Sequence, residues 1–194
     1  MENFDITPLN MRKGIDTDFH LMVVTFLLLF TLGFALFEFG SVRRKNSDSM
    51  TIKYLPVFAS TGILVFIFGY AFVYGSPYFL GKDYFFSDFK FEEDNQDHQK
   101  QWALLFAGFS MASSLAIAGV AERAKLLVPF AFSILLAFIM FPMVSAWTFG
   151  GGYLHQLGYQ DYGNCGAFHL AAGFSAFVGS ALIGPRLGRY KALV

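Results

Sequence analysis

The side chains of this 194-residue chain that could do chemistry are few, and they cluster late in the sequence. Asp161 sits just before an apolar run, and His169 follows eight residues later, about one helical turn inside it. A carboxylate at such an entry can accept backbone N–H bonds, so Asp161 by itself reads as a helix-entry acceptor. A histidine inside an apolar run has two open roles, a helix–helix hydrogen-bonding group or a proton shuttle, and the first is the commoner. Glu38 lies near the end of an earlier apolar run and reads as an end residue reaching toward Arg43-Arg44-Lys45. Upstream of Asp161, Trp147, Phe149 and Tyr153 flank Gly150-Gly151-Gly152. Ring faces can attract a cation by roughly 0.5–2 kcal/mol each, but aromatics also gather at membrane interfaces, and composition alone favours that plainer reading. No metal-ligand spacing, nucleophile triad, P-loop or dinucleotide fingerprint occurs in the sequence, so the expectation is no enzyme, no cofactor and no metal.

What must position these residues is read from composition. Hydrophobic residues make up 55% of the chain and charged residues only 14%, with a mean hydropathy of +0.49. Soluble domains carry about 25% charged residues, so lipid is the expected solvent. The 14 basic and 14 acidic residues cancel, which gives nothing to a nucleic-acid partner. The 26 phenylalanines read as lipid-facing bulk, and the single cysteine, Cys165, excludes an intrachain disulfide. A membrane helix needs roughly 20 apolar residues. Five windows meet that length, over residues 21–40, 55–74, 102–121, 126–147 and 166–184. The fold expected is therefore an all-α integral membrane protein, with an extramembrane segment at 1–20, a five-helix membrane domain at 21–184 and a short tail at 185–194. The first window is too long for a signal-peptide core and is expected to be retained.

Orientation follows from the basic residues. Arg43, Arg44, Lys45, Lys53, Arg123, Lys125, Arg186, Arg189 and Lys191 fall on one side, nine in all; Arg12, Lys13, Lys82, Lys90 and Lys100 fall on the other, with the acidic run Glu92-Glu93-Asp94. The expectation is an outer N-terminus and an inner C-terminus, in a plasma or organellar membrane. Two stripes of small residues recur every fourth position, Gly108-Ala112-Ala116 and Ala172-Ala176-Ser180-Gly184. Such stripes let helices approach closely where no hydrophobic effect drives them together. Pro142 should kink its span by removing a backbone donor, and the three glycines after that span should end it.

Three segments together resemble the ammonium transporter and Rhesus protein family. The first is Gly33-Phe34-Ala35-Leu36-Phe37-Glu38-Phe39-Gly40-Ser41-Val42-Arg43, leading to Phe68-Gly69-Tyr70-Ala71-Phe72. The second is Ala118-Gly119-Val120-Ala121-Glu122-Arg123. The third joins Trp147-Thr148-Phe149-Gly150-Gly151-Gly152 to Asp161-Tyr162-Gly163, Phe168-His169-Leu170 and Gly184-Pro185-Arg186-Leu187-Gly188-Arg189-Tyr190. The resemblance covers about residues 20 to 190. It implies a trimeric protein whose protomers hold two inverted five-helix repeats with a pore between them. In that family ammonium gathers at an aromatic vestibule beside a buried aspartate, passes a phenylalanine gate and follows a narrow path lined by two histidines, one from each repeat. By resemblance Asp161 matches the aspartate and His169 the first histidine. Trp147 and Phe149 belong to the vestibule, Phe149 standing where the family usually has a cation-stacking tryptophan. The gate position falls on Gly108, with Phe109 beside it and Phe106 two residues earlier.

Several residues depart from the family pattern. Gly108 carries no gate ring, Phe149 lacks an indole N–H, Asn164 stands where a glycine is usual and Phe168 where a smaller aliphatic is usual. The second repeat and its histidine would have to come from elsewhere. The function expected first is therefore a non-conducting accessory or structural half-transporter, packed against other membrane protein subunits. The alternative is an ammonium channel formed with a second-repeat chain. Self-pairing is disfavoured, because the charge bias inserts every copy the same way and the two repeats must be inverted.

Overall fold

The computed structural model describes residues 7–75, 83–87, 95–125 and 127–185. The acidic run Glu92-Glu93-Asp94 and the tail from Arg186 onward lie outside these described residues. Five helical stretches among them are long and apolar enough to cross a membrane, Asn10–Ser41, Arg44–Tyr74, Asp97–Ala121, Leu127–Gln156 and Tyr162–Ile183. They are built from α1 (Pro8–Ser41), α2 (Ser47–Leu64), α3 (Tyr70–Tyr74), α4 (Asn95–Ala121), α5 (Leu127–Leu135), α6 (Phe141–Thr148), the short α7 (Tyr153–Gln156) and α8 (Ala171–Ile183). The first helix starts well before its apolar run. Thr7 caps it by accepting from the Asn10 backbone N–H, and Pro8 occupies a first-turn position where no donor is missed.

Three spans contain a π-helical turn, at Val65–Gly69, Leu136–Met140 and Cys165–Leu170. The second explains how Pro142 is accommodated. Its pyrrolidine would crowd the carbonyl one turn back, and the widened turn just before it relieves that crowding, so α6 restarts with Pro142 in its first turn. The third π turn carries Phe168 and His169.

α4 is the axis of the molecule. It packs against α1, α2, α5 and α8, and 67% of its apolar window is buried, against 6% for the first span. Its small residues make this possible. Ala112 and Ala116 are fully buried, and a Cβ added at Gly119 would stand 2.7 Å from the Ala176 carbonyl oxygen and 3.0 Å from the Ala176 Cα. The backbones of α4 and α8 therefore touch. Ser180 Oγ donates to the Gly119 carbonyl across the same seam at 2.8 Å.

The described basic connections, around Arg44 and around Arg123, lie at one end. Arg123 donates to the Gly184 carbonyl at 2.9 Å, satisfying an acceptor at the close of α8, where Gly184 takes φ +80°. Lys53 is not a loop residue. It is buried within α2, and its Nζ donates to the carbonyl of Ala121 at the C-terminus of α4. Glu38, 7% exposed, turns to α2 rather than to the basic loop and accepts from the Tyr54 hydroxyl at 2.6 Å. A carboxylate at this depth keeps a donor from a neighbouring helix in preference to a distant solvated cation.

Candidate vestibule and histidine face

The site is built at the other end, where α6 stops. Phe149 and Gly150 both donate to the Ser145 carbonyl, at 3.0 and 2.9 Å, and Gly152 donates to Ala146 at 2.9 Å. These bonds fold the chain back over the end of α6. The glycines are needed for different reasons. A Cβ at Gly150 would lie 2.3 Å from the Val73 carbonyl oxygen, while Gly151 takes φ +85°. The turn sets Phe149 against Tyr74, with ring centroids 6.3 Å apart, and against Phe168 at 6.1 Å. Trp147 is 41% exposed.

Asp161 organises the entry to the last span. Its Oδ1 accepts from Gly166 N and its Oδ2 from Ala167 N, both at 2.8 Å. The carboxylate therefore holds two of the free donors at the start of the π turn. Between them the chain reverses through left-handed residues, Gly163 at φ +64° and Asn164 at φ +53°. Asparagine tolerates that conformation better than other side-chain-bearing residues, so the position at which the family usually has glycine stays accessible. Gly166 is also tight: a Cβ there would meet the Tyr159 hydroxyl at 2.7 Å.

The clamp fixes the direction of the next two side chains, and they part company. Phe168 turns into the protein and is 2% exposed. His169 is exposed on the opposite face, with Leu170, Gly173, Phe174 and Phe177 following it along α8. Phe149 meets Phe168, and Asp161 clamps the turn that carries both Phe168 and His169, so these residues share one end of the molecule.

The region around position 108 is filled by a residue from another span. A Cβ built on Gly108 would lie 2.3 Å from Phe168 Cε2 and 2.6 Å from its Cζ. Phe109 is fully buried and meets the same ring edge-on at 5.8 Å, then Phe141 at 5.7 Å. Phe106 faces α2 instead. It packs edge-on to Phe58 at 5.0 Å and stacks on Trp102 at 5.9 Å, and its Cε2 lies 3.0 Å from a Cβ built on Gly62. Phe168 was visible in the sequence as an unusually large residue beside His169, but its meeting with Gly108 spans sixty positions and left no local signal.

The sequence and the fold as a whole are similar to known proteins. Residues 19–193 match the model of the Ammonium Transporter Family. The chain is 29% identical over 178 residues to ammonium transporter 3 of Dictyostelium discoideum, covering 91% of this chain and 41% of that protein. It is 31% identical over 178 residues to ammonium transporter Amt2 of Haloferax mediterranei, covering 88% and 39%. Its backbone superposes on a solved Sensor Amt Protein with a TM-score of 0.86 at 23% identity, covering 94% of this chain and 47% of that one. The chain spans about 40% of the length of these curated relatives and corresponds to the N-terminal half of the fold. The match of residues 19–193 places this chain in the Ammonium Transporter Family.

Proposed function

We propose that this chain is one half of an ammonium-handling membrane unit, and that by itself it is a non-conducting accessory body whose His169 face is covered by a second membrane component. The observation that carries this reading is the division of the last span. One face of α8 is sealed against α4, whereas the face with His169, Phe174 and Phe177 is open. A conducting path needs walls on every side. A histidine on an open face can line a path only after another body covers it, and an ionisable residue left toward lipid is costly. The covering body fits either another membrane protein subunit or a chain supplying an inverted second repeat.

A second reading, an ammonium channel completed by such a repeat, is favoured by one observation. The Asp161 carboxylate is held by two backbone donors at the head of the turn that presents His169, and Phe149 adds a ring face nearby. The two readings separate in methylammonium uptake by a transporter-deficient cell expressing the 194-residue chain, wild type and His169→Ala. The accessory reading expects uptake at the level of the empty cell for both. Robust uptake by the chain alone, abolished by His169→Ala, would make it a minimal channel instead. Proteins that co-purify in mild detergent then identify the covering body.

The orientation that goes with this reading puts the N-terminus outside. Single cysteines replacing Lys45 and Gln160, in a Cys165→Ser background, should label from opposite sides, Gln160→Cys from outside. Labelling of both from one side would overturn it.

A further inference from the structure

We propose that the groove between α1 and α2 binds one anionic phospholipid, with an acyl chain lying along α1 and the headgroup phosphate at Arg43, Arg44 and Lys45. On α1 the wall includes Leu28, Leu32, Ala35 and Phe39, spaced four, three and four residues apart and so on one helix face. Tyr54 and Phe58 form the wall on α2, and the space between has a volume of about 580 Å³. Nothing polar on these walls asks for water. Thr31, a buried lining residue, gives its hydroxyl to the Leu27 carbonyl at 2.9 Å, and the Tyr54 hydroxyl is taken by Glu38 at 2.6 Å. The other lining residues are apolar, and the groove is open to its surroundings: Leu32 is 59% exposed and Phe39 44%. None of them lies on α8, so the site is separate from the His169 face.

Length and charge select the occupant. From Leu28 to Phe39 the helix rises about 16 Å, and one leaflet supplies about 15 Å of a 30 Å hydrocarbon core. A partner helix would cross the whole core and leave half its length without a groove, whereas one acyl chain fills one leaflet. The groove ends at Phe39 and α1 ends at Ser41. Arg43, Arg44 and Lys45 follow at once. All three are exposed, and among the described residues none of them forms an ion pair, not even with Asp48 just beyond. Three cations at the mouth of an apolar groove favour a headgroup of net negative charge over a zwitterionic one. With the orientation proposed above, that mouth opens on the inner leaflet, where anionic lipids concentrate; the binding itself does not depend on it. The lipid also has a structural effect. Only 6% of the apolar window of α1 is buried, so a chain in the groove covers part of a helix that the protein leaves bare and bridges it to α2.

The test uses the full chain purified in a neutral detergent, with dioleoyl phosphatidylglycerol and dioleoyl phosphatidylcholine as probes that share their acyl chains. Native mass spectrometry reads the bound lipid, and the melting temperature reads its effect on the fold. Phosphatidylglycerol should fill one tight site at a concentration lower by roughly tenfold or more, and it should raise the melting temperature. Arg43→Gln/Arg44→Gln/Lys45→Gln should weaken it to the level of phosphatidylcholine. Lys125→Gln, on the other basic connection, should leave the preference intact. Ala35→Phe fills the groove and should remove the tight site for both lipids. If Ala35→Phe fails to fold, the triple glutamine variant, which changes exposed side chains alone, still decides. Equal binding of the two lipids to the wild type, an unchanged preference in the triple variant, or an equal loss in Lys125→Gln would each overturn the proposal. So would self-association in lipid-free detergent that Ala35→Phe dissolves, since the groove would then belong to a second copy. These readouts involve neither uptake nor sidedness, so failure here is distinguishable from failure of the accessory reading or of the orientation.

Discussion

The two faces of the last span solve different problems with different residues. Toward α4, Ala172, Ser175 and Ala176 are buried or partly so, and the Gly119 backbone reaches the Ala176 carbonyl. Toward the outside, His169, Leu170, Phe174 and Phe177 stand free, and a Cβ at Gly173 would meet nothing within 4 Å. Lipid tails are as apolar as leucine, so helices in a membrane gain from fit rather than from being hydrophobic. The α4 face has been made small to obtain that fit. The open face keeps bulky apolar groups and one polar ring. The contrast teaches that within the five-helix unit one side of the last span is packed for close contact and the other is left open.

The strongest way to break this contrast is to place the same residue on each face. Gly119→Leu should cost about 3 kcal/mol or more, since the new side chain meets backbone that cannot move aside, and it should show as loss of folded yield and a lower melting temperature in detergent. Gly173→Leu should change stability by less than about 1 kcal/mol, because the site is open and leucine favours helix over glycine. Equal losses at the two positions would mean that α8 is packed on both sides.

Asp161→Ala comes next. It removes two charge-assisted bonds and leaves two backbone donors at the head of the π turn, a loss of about 2–4 kcal/mol. Asp161→Asn keeps an acceptor and should recover part of it. A fully stable Asp161→Ala protein would show that the turn holds itself. Ser180→Ala, which deletes the 2.8 Å bond to the Gly119 carbonyl, should cost about 1 kcal/mol, measured as a shift in thermal midpoint. The smallest effect belongs to His169→Ala, within about 0.5 kcal/mol of wild type for the chain alone. A larger loss in the presence of a co-purifying partner, absent in its absence, would locate that partner on this face.

The division between sequence and structure falls along a physical line. Hydropathy reports solvent, so the spans were legible, and the triple glycine marked the end of α6 because three such residues cannot sustain a helix. The fourfold spacing of small residues marked α4 and α8 as helices suited to close approach, since helical periodicity is local, but it did not pair them, and Gly119, where their backbones touch, lies outside the α4 stripe. Asp161 could be read as a backbone acceptor from its place before an apolar run. Partners were a different matter. Within an apolar span every direction reads alike, and nothing near Glu38 distinguished the basic loop from Tyr54. Lys53 counted as a loop charge until the fold brought it under the carbonyl of Ala121. Gly108 and Phe168 each looked like an isolated oddity. Only tertiary structure, by bringing α4 and the last π turn within van der Waals distance, decided that the void at one is filled by the ring of the other.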